Sequence, residues 1–162
     1  MRARDLAIEY ETVRLDDDAV EVARLMARER LPALLVVDGD GVPAAVLPAS
    51  QMVKTVVPAY VVEDPALAAV VDERHADRLC DALVGRSVRD CLPDGATAPP
   101  IAQPDDTALE VAALMARVRS PLVAVVEGDH RHRLDRVSRS RARLLGVITA
   151  SHLLERLLAT SG

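Results

Sequence analysis

The sequence predicts a mixed α/β (α+β) protein built from two tandem β-α-β-β-α units packed as a pseudo-two-fold pair. Three observations carry that expectation. The chain has 162 residues, 50% of them hydrophobic and 28% charged, a globular composition long enough for one ordinary domain or two very small ones. It contains an internal repeat. Each copy shows the same succession of helix-like and strand-like hydrophobic patterns.

The repeat is read first, because missing it would misassign the whole fold. Residues 16–32 and 105–121 are nearly the same string, with Glu110 lying 89 residues after Glu21 and Met115 lying 89 after Met26. The register runs on through Val36-Val37-Asp38-Gly39-Asp40 and Val125-Val126-Glu127-Gly128-Asp129. Ala19, Val22, Ala23 and Met26 recur at helical spacing, as do Ala108, Val111, Ala112 and Met115, so each copy has a helix with one apolar face. Asp16–Asp18 and Asp105–Asp106 precede these helices and are read as N-caps, where a carboxylate accepts free amides and meets the positive helix end.

Short apolar runs follow. Leu34–Val37 and Leu122–Val126 are expected as buried strands closed by an acidic-Gly-Asp turn. Ala44–Leu47 and Leu144–Ile148 are expected as second strands, with final helices starting near Ser50 and Ser151. In the last helix, Leu153, Leu154, Leu157 and Leu158 read as an apolar stripe. An earlier strand, near Tyr10–Leu15 or Ile101–Gln103, opens each unit. The division expected is 1–57 for the first unit, 58–86 for a linker and 87–162 for the second.

Composition narrows the function classes. The net charge is −5, and the only aromatic residues are Tyr10 and Tyr60. This removes the stacking platforms used by single-strand binders, so nucleic acid is not an expected partner. No run approaches the ~18 uninterrupted apolar residues of a membrane helix, and no apolar segment follows Met1–Asp5 as in a secretory leader. Cys80 and Cys91 fit no metal spacing, and a reduced, cytoplasmic setting is expected. There is no Gly-rich phosphate loop, no nucleophile–His–acid set and no metal-ligand cluster, so neither an enzyme nor a metal site is expected.

The strings also resemble a known family. Ala3-Arg4-Asp5-Leu6 and Val88-Arg89-Asp90-Cys91-Leu92, the two Glu-Val-Ala…Leu-Met-Ala-Arg helices, and Leu145-Gly146-Val147-Ile148-Thr149 are similar to the opening, middle and close of the cystathionine β-synthase (CBS) domain, here as a tandem pair. The resemblance implies a non-catalytic regulatory module that needs no cofactor. Its two clefts would take an adenosine-type ligand such as AMP, ATP or S-adenosylmethionine. It also implies a homodimer and a separate, unknown regulated protein.

In that family a Thr-x-x-Asp string opens the last helix. The Thr and the helix-start amides hold a phosphate, and the Asp accepts from ribose hydroxyls. Here the second copy reads Thr149-Ala150-Ser151-His152 and the first Pro48-Ala49-Ser50-Gln51. Neither carries the ribose carboxylate. Gln51 and His152 remain as candidate ribose acceptors, and a protonated His152 would attract phosphate. The plainer alternative is that Thr149 or Ser151 is an N-cap and His152 a first-turn residue. Pro48 has lost both a hydroxyl and an amide. By resemblance, the adenine walls would be Thr12, Pro32 and Ala33 in copy one, and Pro99, Ile101, Pro121 and Leu122 in copy two. The second cleft is expected to be the better anion site, with a full set of helix-start amides.

Two segments lie outside the repeat. The offset rises from 89 at Asp129 to 101 at Ser151, so copy two carries 12 extra residues, within the Arg-rich stretch 130–143. That stretch holds six Arg and one Asp, leaving the rest of the chain at −10. It reads either as a solvated hairpin tip or as a contact for an anionic partner. The linker reads as one helix, Ala66 to Leu83, capped by Asp64 with Pro65 at its first turn and with Cys80 buried on it. The alternatives to ligand sensing are a structural dimerisation module with degenerate clefts and an anionic-partner binder acting through the Arg-rich loop.

Overall fold

The computed structural model describes residues 1–70, 73–76, 78–96, 98–128 and 142–160. The elements of the first repeat are β1 (Thr12–Arg14), α2 (Ala19–Glu29), β2 (Ala33–Val37), β3 (Pro43–Pro48) and α3 (Ala49–Val56), preceded by a one-turn helix α1 (Ala3–Leu6). Between the repeats lie α4 (Ala59–Glu63), a 3₁₀ segment at Pro65–Val70, α5 (Glu73–Ala76) and a second 3₁₀ segment at Leu79–Leu83. The second repeat has α6 (Val88–Cys91), β4 (Ile101–Ala102), α7 (Ala108–Val118), β5 (Leu122–Glu127), β6 (Arg143–Thr149) and α8 (Ala150–Ala159). Each repeat is therefore β-α-β-β-α, with three-stranded sheets ordered β1-β2-β3 and β4-β5-β6. β4 runs parallel to β5, and β6 antiparallel to β5.

The local reasons follow the sequence closely. Met26 and Met115 are buried with Ala19/Val22 and Ala108/Val111 on the apolar faces of α2 and α7. β2 and β5 are buried along their length save for Glu127, the pattern of central strands covered on both sides. Asp18 caps α2 by accepting from the Glu21 amide at 3.1 Å. α7 is capped differently from expectation. Thr107, not Asp105 or Asp106, accepts from the Glu110 amide, and Glu110 reaches back to the Thr107 amide at 2.7 Å, a capping box. Asp106 instead accepts from the Gln103 amide in the turn before it, as Asp17 does from Arg14.

Contacts divide the chain into two units that are not contiguous in sequence: Met1–Thr12, Leu35–Val46 and Thr97–Gly162 in one, Val13–Leu34 and Leu47–Ala96 in the other. The opening helices explain much of this. α1 docks on the second repeat, with Ala3 N–H donating to Asp106 O, Arg4 N–H to Pro104 O, and Ala108 N–H to Met1 O. α6 docks on the first repeat in the same manner, with Val88 N–H to Asp17 O, Arg89 N–H to Leu15 O, and Ala19 N–H to Arg86 O. Arg4 pairs with Asp105 and Arg89 with Asp16. All four side chains are exposed, so these pairs orient more than they stabilise.

In the unit holding the second repeat, Leu6, Val111, Met115, Val123, Val125, Ile148 and Leu153 pack into one core. Ile8 extends its sheet by a bridge to Val147, with both amides bonded at 3.0 Å. Gly146 makes this possible, because a Cβ there would lie 2.6 Å from the Ile8 carbonyl oxygen.

Three expectations need correction. The linker is not one helix from Ala66 to Leu83. It is a series of short helical and 3₁₀ pieces, with Leu67 and Val70 exposed, so no continuous apolar face holds a long helix together. Asp64 does accept from the Ala66 amide at its start. Cys80 is exposed rather than buried, and Cys91 is the buried thiol. The leucine stripe of α8 is divided: Leu153 is buried and Leu157 packs against the core, but Leu154 and Leu158 are 59% and 73% exposed. The stretch 130–141, most of the Arg-rich insertion, lies outside the described residues.

Candidate functional site

The second-repeat residues singled out above converge through the sheet. β4 brings Ile101 beside Ala124 of β5, and β5 brings Leu122 opposite Thr149 of β6. Pro121, at the head of β5, accepts from the Ala150 amide at 2.9 Å, so the start of α8 is fastened to the start of β5. Ser120 braces the same corner, with its hydroxyl donating to Leu122 O and accepting from the Leu122 amide. Pro99 and Leu122 are buried, Ile101, Pro121 and His152 are half-buried, and Ser151 is exposed. Pro99, Ile101, Pro121, Leu122, Thr149, Ser151 and His152 thus belong to one unit.

Thr149 ends β6 and is the N-cap of α8. Its hydroxyl accepts from the His152 amide at 3.2 Å and lies 3.2 Å from the Ser151 hydroxyl. Thr149 is the one buried polar side chain among the described residues. The amides of Ala150 and His152 are consequently taken by Pro121 O and Thr149 Oγ1. The expected full set of helix-start donors is therefore reduced. His152 is mostly buried, and its Nδ1 lies 3.7 Å from a Glu155 carboxylate oxygen one turn along. When protonated, its charge is shared with that acid.

The first repeat keeps the same scaffold with other chemistry. Ala49 N–H donates to Pro32 O at 2.9 Å, the counterpart of the Ala150–Pro121 bond. Pro48 is the N-cap of α3 and offers no side-chain cap. Gln51 turns its amide to the α6 end, where Nε2 donates to the Cys91 carbonyl at 3.1 Å. One of its amide N–H donors thus holds the opening helix of the other repeat, a role that sequence spacing does not show. Pro32 is exposed and Ala33 buried; with Gln51 they lie in one unit, while exposed Thr12 is assigned to the other.

Hydrogen bonds from the Ser87 backbone and hydroxyl hold the Asp90 carboxyl below its usual range, and Thr107 does the same for Glu110. Burial pushes the Cys91 thiol up. Among the described residues no group of three or more His, Cys, Asp or Glu is placed to hold a metal ion, and no helix is long and apolar enough to cross a membrane.

Two sheet-and-helix units with exchanged opening helices, each closing on a strand that runs into a helix start, define a tandem pair of small α/β repeats. The CBS domain family model matches residues 3–58. A CBS domain-containing protein of unknown function from Kribbella flavida is 46% identical, with a TM-score of 0.80, covering 98% of this chain and 99% of that one. The chain belongs to the CBS domain family, as a tandem pair. The CBS-pair protein CBSX2 from Arabidopsis thaliana shares the fold at 12% identity, with a TM-score of 0.70 over 99% of this chain and 96% of its own. A structure of CBSX2 in complex with AMP matches at 13% identity and a TM-score of 0.63, over 99% and 98% of the two chains. No curated protein matches.

Proposed function

We propose that this CBS pair is a non-catalytic regulatory module of a reduced, cytoplasmic setting, made of repeats at 1–57 and 87–162 joined by 58–86. In this reading the cleft at the start of α8 takes an adenosine-type ligand, and the module acts as a homodimer on a separate protein. One observation carries the ligand reading: Thr149, a buried hydroxyl at the head of a ten-residue helix, stands directly opposite Leu122, with Ile101 on the next strand. The half-buried Ile101 and Pro121 supply apolar surface for a base, while Leu122 and Pro99 are buried. The Thr149 and Ser151 hydroxyls and the α8 end favour an anion. AMP on CBSX2, a pair of the same fold, supports this ligand class.

His152 in place of a carboxylate lowers ribose selectivity, since a charged acceptor bond contributes about 1.5–3 kcal/mol. The test is calorimetric titration of AMP, ATP and S-adenosylmethionine into the wild type, Thr149→Val and Gln51→Ala. Weaker binding in Thr149→Val, with little change in Gln51→Ala, supports the reading. Equal losses in both variants count against it.

A second reading is favoured by the Gln51–Cys91 bond. It makes the first repeat a structural brace whose cleft has given up ligand binding. No binding of any of the three ligands at millimolar concentration would leave this reading, with the pair serving assembly.

A further inference from the structure

The two exchanged opening helices dock by matched bonds but are tied off unequally. Ala3 N–H and Arg4 N–H donate to Asp106 O and Pro104 O at 2.8 and 3.0 Å, and Val88 N–H and Arg89 N–H donate to Asp17 O and Leu15 O at 2.9 Å each. The exposed ion pairs correspond too, Arg4 with Asp105 and Arg89 with Asp16. Both helices end alike, at Ala7 and Leu92 in extended backbone with φ −67°. There the likeness stops. After α1, the half-buried Ile8 is zipped to Val147 by two backbone bonds of 3.0 Å, over a Gly146 that has no room for a side chain. After α6 the corresponding residue is Pro93, 85 residues on as Arg89 is from Arg4. Proline has no N–H to donate, and Pro93 to Ala96 are exposed. Among the described residues the backbone bonds of 92–96 are local, Leu92 N–H to Val88 O and Ala96 N–H to Pro93 O.

One side-chain bond stands in place of that zip. Gln51 Nε2 on α3 donates to the carbonyl of Cys91, the last residue of α6, at 3.1 Å. The apolar anchor is smaller as well. Leu6 of α1 packs in the core with Val111, Val123 and Ile148, and its counterpart on α6 is Cys91. Elements held by fewer backbone bonds and less apolar contact open locally at lower free energy than the whole fold.

We infer that α6 is the releasable element of this module. With residues 92–96 it detaches from α2 and α3, its neighbours in the same unit, while α1 and the sheet it is zipped to stay folded. The opening gives up the Val88, Arg89 and Gln51 bonds and bares Val88 and the Cys91 thiol, both buried when α6 is docked. The first repeat is then the half that changes shape, whichever ligand the second repeat takes.

The experiment is native-state hydrogen exchange on the full chain across low urea concentrations. After correction for intrinsic rates, the Val88 and Arg89 amides should exchange about tenfold faster than those of Ala3 and Arg4. Their urea dependence should be weak, because a local opening exposes little surface. In a Cys80→Ser protein, Cys91 should react with a thiol reagent through this local unfolding, with the same weak dependence. Gln51→Met keeps the length of the side chain and removes its N–H. It should speed Val88 and Arg89 further and leave Ala3 and Arg4 unchanged. Ile8→Pro gives α1 the residue that α6 has, and should speed Ala3 and Arg4 about tenfold while leaving Val88 and Arg89 unchanged. The comparison within the wild type needs neither variant to fold. Equal protection of the two amide pairs there overturns the inference. So does exposure of Val88, Arg89 and Cys91 that follows the steep urea dependence of global unfolding, or a folded Ile8→Pro protein whose Ala3 and Arg4 amides are as protected as before.

Discussion

Replacing Gly146 by alanine tests the most specific packing relation in the fold. The new Cβ would lie 2.6 Å from the Ile8 carbonyl oxygen and 3.2 Å from both Ile8 C and the Ala7 Cβ. The close atoms belong to backbone and to a short side chain, so no flexible tip can swing away. The segment Ala7–Ile8 must lift off β6. Both 3.0 Å bonds between Ile8 and Val147 are then strained or lost, at about 0.5–1.5 kcal/mol each. Alanine in a strand recovers roughly 0.5–1 kcal/mol relative to glycine by losing less backbone entropy. The net expectation is a destabilisation of about 1–2 kcal/mol, or a fall in Tm of roughly 2–8 °C for a chain of this size. Urea denaturation gives the free energy. Hydrogen exchange should show the Ile8 and Val147 amides losing protection while the interior of α7 keeps its own. A Gly146→Ala protein as stable as the wild type, with those two amides still protected, would refute the account.

Other outcomes follow from the caps, the thiols and the exposed leucines. Thr107→Ala should cost about 1 kcal/mol through loss of the α7 cap. Asp90 and Glu110 are held below their ordinary values by hydrogen bonds. Their contribution is therefore present above the usual carboxylate range and lost as pH falls through the lowered folded values. Urea midpoints measured down the acid limb should fall there, and Thr107→Ala should flatten the share owed to Glu110. Cys80 should react with a thiol reagent in the folded protein, while buried Cys91, whose thiol is also pushed up by burial, should react only on unfolding; equal rates would contradict this placement. Light scattering at micromolar concentration should give twice the monomer mass, and a Leu154→Glu/Leu158→Glu double variant, which changes only exposed positions of α8, shows whether that helix face takes part.

The lesson of the two repeats lies in which residues act at short range. The helices of Met26 and Met115, the buried strands after them and the cap at Asp18 were all legible, because periodicities of 3.6 and 2 and a cap three residues from its amide are encoded by near neighbours. The cap of α7 lies one or two residues beyond the acidic pair, since Asp105, Asp106 and Thr107 are all competent acceptors and the turn geometry chose among them. The ends of α2 and α7 carried no glycine signal. Both close on an arginine, Arg30 or Arg119, in left-handed backbone at φ 52°, a conformation more often given to glycine. The linker breaks into short pieces for a related reason. Its apolar spacing fits a helix, yet no packed surface covers Leu67 and Val70, and isolated helices of that kind are marginal in water.

By itself the sequence determined that this protein is a duplicated α/β unit, which residues turn inward, and that both copies lack the ribose carboxylate at the last helix. It did so because duplication is a comparison of the chain with itself and because patterning is local. Only the tertiary structure decided that α1 serves the second repeat and α6 the first, and that Gly146 exists to admit Ile8. It also decided that Gln51 turns an amide N–H to the Cys91 carbonyl, and that the Pro121 carbonyl takes the Ala150 amide at the head of α8. Each of these joins residues 29 or more positions apart. No short window of sequence records such meetings, because they form only when distant segments bury a common core.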